Sequence, residues 1–187
     1  MVIFKISKKL KKQERLIKKY LEEAIEKLRI KNYIKSISVT LSKKLKDDIE
    51  VDYKNIKKGY VKIKIGNKCK LNRKIIYHEM GHVYDAIYNN IFVYSLKLSR
   101  KQNLLCGLIL NLSLDGRLEK MKLPHISKRE RFLDLTRFMK IWNKKYKEKF
   151  TRKELVRIFE NFWGKKIRSS EELLEIYEKI IKSKNQK

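Results

Sequence analysis

The segment Ile75-Ile76-Tyr77-His78-Glu79-Met80-Gly81-His82-Val83-Tyr84-Asp85 decides how the rest of the chain reads. It contains the pattern H-E-x-x-H. Residues four apart on a helix share a face, so His78 and His82 are placed to grip one metal ion. Glu79 lies next to His78 and is placed to reach a metal-bound water as general base. The chain has only 3 histidines in 187 residues, so a chance match is expected far less than once. This is the pattern of a catalytic zinc site.

The motif needs a helix, and its flanks supply one. Asn72 is a candidate N-cap, and the spacing predicts a helix from about Arg73 to Tyr88, closed by Asn89-Asn90. Upstream, the period changes to two. Ile37, Val39 and Leu41 alternate with Ser36, Ser38 and Thr40, and Ile49, Val51 and Tyr53 alternate with Glu50 and Asp52. Tyr60–Ile65 repeats the pattern, which predicts a small three-stranded sheet with polar turns at 42–48 and 54–59. Before it, apolar residues at helical spacing predict an N-terminal amphipathic helix over 8–30.

Downstream, residues 91–99 are apolar and read equally as strand or helix. Residues 101–121 read as a buried helix stopped before Pro124, and three further helices are expected over 127–147, 151–163 and 169–183. The fold class is therefore α+β. The expected division is a catalytic domain over 1–124 and an all-helical extension over 125–187, packed on it and able to cover the cleft in a latent form.

A hydrolytic zinc site uses three protein ligands and leaves one position for water. Asp115 and Glu119 interrupt the apolar helix one turn apart. A carboxylate among such neighbours needs a reason, and a metal supplies one. The i, i+4 spacing of Asp115 and Glu119 gives one carboxylate for the metal and one for the second nitrogen of a ligand histidine. Asn111 lies on the same face. The competing account pairs both acids with Arg117 or Lys122. Glu130, with Asp134, is a second carboxylate pair, at a helix start where acids are common for dipole reasons alone. His125 is the remaining histidine, beside Pro124. Asp85, three residues after His82, either orients a histidine or caps the helix.

In this order of elements the chain resembles the zincin metallopeptidases, and among them the minimal gluzincin-like peptidases known as minigluzincins. The resemblance covers about 8–121 and rests on His78, Glu79, His82 and the segment Asn111-Leu112-Ser113-Leu114-Asp115-Gly116-Arg117-Leu118-Glu119. It implies a Zn2+ held by His78, His82 and an acid on the following helix, with Glu79 as general base and an extended peptide or protein substrate added along a strand edge. The strand Tyr60–Ile65 is the candidate edge. The segment departs from the family's pattern N-x-x-E-D-x-R-x-E by placing Leu114 at the first acid, which leaves Asp115 as the implied ligand and Glu119 as its support.

Composition bounds the remaining possibilities. The formal net charge is +28, with lysine spread along the chain. Such a charge gives a solvated basic surface or attraction to an acidic partner such as nucleic acid. Two cysteines, Cys69 and Cys106, do not make a disulfide framework. Lysines follow the apolar start at once, and no uncharged run reaches membrane-spanning length. A cytoplasmic location without a transmembrane segment is expected.

Overall fold

The structure is a computed structural model, and it describes residues 2–46, 49–52, 55–91 and 98–185, with Asn185 described by its backbone alone. Expectations for Tyr53 and for residues 92–97 lie outside the described residues. The chain divides into two compact units, Met1–Asn90 and Ile91–Lys187. The boundary expected at 124/125 falls inside the second unit, because the helix carrying Asp115 packs with the C-terminal helices.

The first unit is α+β, and among its described residues it has four strands rather than three: β1 (Ile3–Ile6), β2 (Ser36–Ser42), β3 (Ile49–Asp52) and β4 (Tyr60–Gly66). The additional strand is the apolar N-terminus. Four residues carry too short an alternation to be distinguished from a frayed end, and β1 acquires its conformation by pairing with β2. The sheet order is β1-β2-β4-β3. β1 runs parallel to β2, and β2 parallel to β4 with Ser36 opposite Tyr60 and Ser42 opposite Gly66. β3 closes the other side antiparallel to β4, with Ile49 opposite Ile65 and Asp52 opposite Lys62.

This order corrects the expected substrate edge. β4 pairs with β2 along its whole length and with β3 over Lys62–Ile65, so it is an inner strand of the sheet. The outer strands are β1 and β3, because the chain places β4 between β2 and β3 after making β3 first.

The N-terminal helix also begins differently. Lys8–Gln13 forms a 3₁₀ helix, and α1 spans Glu14–Lys27 with Ile17, Leu21, Ala24 and Ile25 buried. These positions recur every three or four residues and form one stripe. α2 (Arg73–Tyr88) packs against α1 and β3. The apolar sheet face bears Ile37, Val39, Val61, Ile63 and Ile65, all buried. Alternation along each strand leaves the opposite face polar.

The second unit is helical among its described residues: α3 (Arg100–Lys120), α4 (Lys128–Lys145), α5 (Arg152–Phe162) and α6 (Ser170–Asn185). Ser99, Ser127 and Thr151 close capping boxes with Gln102, Glu130 and Glu154. α3 is buried on nearly every side, which accounts for its weak periodicity. Its Leu105, Ile109 and Leu112 share a core with Trp142, Phe150, Ile167 and Leu173. Gly116 lets α3 touch the turn after α5. A Cβ there would stand 2.2 Å from the Gly164 nitrogen, and Gly164 itself has φ +70°. The Gly164 N–H donates to the Leu112 carbonyl at 3.2 Å across this contact. None of the described helices is long and apolar enough to cross a membrane.

Candidate functional site

α2 starts where the sequence indicates. The Asn72 side chain accepts a hydrogen bond from the Ile75 N–H at 3.1 Å, which satisfies one of the open donors of the first turn. Behind it, Glu23 of α1 grips α2 twice. Its carboxylate takes both guanidinium branches of Arg73, the Nε at 3.0 Å, and accepts the Tyr77 hydroxyl at 3.0 Å. Tyr77 is fully buried, and burial raises its pKa, partly opposed by Arg73. This clamp holds the turn immediately before His78. Glu23 is one of three acids in the run Glu22-Glu23-Ala24-Ile25-Glu26, and only its distant pairing with α2 reveals its role.

His78 and His82 come together as the i, i+4 spacing requires. Their Nε2 atoms are 3.1 Å apart, and their rings meet edge to face with centroids 4.7 Å apart. Two ligand nitrogens about 2.0–2.1 Å from a tetrahedral zinc stand about 3.3 Å apart, so the pair fits two corners of such a site. His78 is buried, while His82 and Glu79 are half-buried. Asp85 is buried one turn beyond His82 and accepts the Asn89 amide at 2.9 Å. That bond ties it to the end of its own helix.

The carboxylates of the second unit have protein partners. Asp115 is fully buried, and its Oδ2 receives Arg131 Nε at 2.6 Å. Its Oδ1 accepts the Ile126 N–H at 3.1 Å. Arg131 extends to Asp134 at 3.1 Å, so the two acids share one guanidinium between α3 and α4. Arg131 carries no signal of its own in the sequence, where it is one of 49 lysines and arginines. The acid on the apolar helix is thus compensated by an arginine from the next helix, which explains its burial without a metal.

Glu119 accepts the Trp163 indole N–H at 2.8 Å and lies 3.3 Å from Lys128. The indole bond, aided by Lys128, lowers its pKa. His125 stands 4.0 Å from Glu119 and points Nδ1 at the Leu123 carbonyl, 2.9 Å away. Glu130 closes the capping box of α4, in keeping with the helix-start reading. Arg117 Nε donates to the Ser113 carbonyl at 3.3 Å.

Among the described residues, no group of three or more His, Cys, Asp and Glu side chains is arranged to hold a metal ion. The structure brings together the two histidines with Glu79 beside them in sequence, and it gives Asp115 and Glu119 partners of their own. Comparison with protein-family models, curated proteins and solved structures finds no match to this chain.

Proposed function

We propose that the chain is a zinc-dependent peptidase with His78 and His82 as metal ligands and Glu79 as general base. The observation that carries the reading is the convergence of the two Nε2 atoms at 3.1 Å on a clamped helix. A zincin-like arrangement is further supported by a small sheet beside this helix with an antiparallel outer strand, β3. Bound zinc would lower the pKa of a water and polarise a peptide carbonyl.

The chain's own residues divide the remaining work. The histidines fix the site on a rigid helical turn. Glu79, one residue round the helix from His78, takes a proton from the attacking water and returns it to the leaving amine. An extended peptide substrate would add to the sheet as a further strand. Asp115 remains the acid that the family resemblance nominates as third ligand, and its bonds to Arg131 and Ile126 are the competing account of it.

The test is metal analysis with a peptidase assay. The purified chain is expected to take up about one zinc, and Glu79→Gln is expected to keep the metal while cleavage falls by roughly 100-fold or more. A chain that resists zinc loading overturns the reading, as does full activity in Glu79→Gln.

A further inference from the structure

We propose that the open face of the sheet is a docking surface for single-stranded nucleic acid, seated along β2 with its phosphates on a crown of lysines at the strand ends. The inference is independent of the zinc reading.

Three of the four strands are parallel. Parallel strands are ordinarily covered on both faces. Here the face opposite the buried one carries Ser36, Ser38, Thr40 and Ser42 down the centre of the sheet, all half-buried. The register places larger side chains beside them. Ile3 and Lys5 on β1 and Tyr60 and Lys62 on β4 flank Ser36 and Ser38, and all four are exposed. The result is a shallow trough floored by hydroxyls. Its floor runs the seven residues of β2, about 20 Å at strand rise. It offers hydrogen-bonding groups below, an aromatic face at Tyr60 and cations at the rim.

The trough leads to the carboxyl ends of β2 and β4. There Lys43, Lys44, Lys46, Lys68 and Lys70 are all exposed. Backbone bonds hold the two segments together, from the Asn67 N–H to the Leu45 carbonyl at 3.4 Å and from the Lys68 N–H to the Lys46 carbonyl at 2.7 Å. The acids on this face sit on the outer strand. Glu50 is engaged with Lys64 at 2.9 Å, and Asp52 lies opposite Lys62. Asp47 and Asp48 lie outside the described residues.

A duplex is too wide and stiff to settle into a trough one strand across. A single strand has the complementary parts: phosphates for the lysines, and unstacked bases for Tyr60. Cationic tracks with an aromatic platform bind single strands with little sequence preference.

The experiment measures binding of the full chain to a labelled oligothymidylate of about 20 nucleotides and to a duplex of the same length, by fluorescence anisotropy across salt. Single-strand binding tighter than duplex binding is expected. The triple variant Lys43→Glu, Lys44→Glu, Lys68→Glu should weaken it by about 100-fold and flatten the salt slope by roughly 2. Tyr60→Ala and Ser38→Tyr, which leave the charge intact, should each cost about tenfold by removing the stacking face and by filling the trough. A charge-matched variant on α4, Lys140→Glu, Lys144→Glu, Lys145→Glu, should stay within about threefold of the parent. The proposal is overturned if the α4 variant loses as much as the crown variant, if Tyr60→Ala and Ser38→Tyr both bind normally, or if anionic phospholipid vesicles are bound and the oligonucleotide is not.

Discussion

His78 and His82 present their Nε2 atoms to each other at 3.1 Å, close to the separation two ligands adopt on one tetrahedral zinc. A ligand that binds only the folded state raises stability in proportion to the logarithm of its concentration over Kd. Zinc at about 100 times its Kd should therefore raise unfolding stability by about 2.7 kcal/mol. His82→Ala should abolish this gain, whereas His125→Ala should retain it. Thermal unfolding with and without added zinc measures both, and an equal zinc response in His82→Ala would refute the pairing.

Asp115 and Arg131 form a buried pair at 2.6 Å. Removing one partner leaves a buried charge, so Arg131→Met should cost about 3–5 kcal/mol. The double variant Asp115→Leu, Arg131→Met should be more stable than Arg131→Met alone. Denaturant unfolding tests this. Zinc uptake by Asp115→Asn separates the structural account from the ligand account, since a ligand's loss should weaken zinc binding and a purely structural pair's loss should not.

Gly116 has no room for a side chain, with the Gly164 backbone 2.2 Å from where a Cβ would stand. Overpacking against backbone is relieved only by moving α3 away from the turn after α5. Gly116→Ala should cost about 3 kcal/mol, at the upper end for a small overpacking change. Gly107→Ala, on the same helix with nothing within 4 Å, should be neutral or slightly stabilising. Comparable melting of the two variants would contradict the close contact.

Glu154 has its pKa lowered to about 2. Burial alone would raise it, and the Lys184 ammonium at 2.6 Å together with Thr151 more than offsets that. A depressed folded pKa gives stability that is present above the ordinary carboxylate value of 4.5 and lost as pH falls toward about 2. Glu154→Gln should therefore be less stable than the parent at neutral pH, and the difference should shrink progressively between those two values. Denaturant midpoints across that range measure it, and a pH-independent difference would exclude the linkage.

Cys106 is buried and its thiol is pushed up to about 11, whereas Cys69 is half-buried. The thiolate is the reactive form. A thiol reagent at neutral pH should label Cys69 first and reach Cys106 only on unfolding. Mass spectrometry of the labelled native chain reads this directly.

The sequence by itself determined the features written in short-range pattern. Helical spacing brought His78 and His82 onto one face, and period-two alternation marked β2, β3 and β4. Each depends on residues within one or two turns of one another. The tertiary structure decided what depends on residues far apart. It made a strand of Ile3–Ile6 by pairing with β2, and placed β4 inside the sheet. It joined Glu23 to Tyr77 across 54 positions and Asp115 to Arg131 across 16. A lysine-rich chain offers each acid many partners, and only packing selects among them. That is why the H-E-x-x-H turn could be read from the chain, while the reason for a buried aspartate on α3 could not.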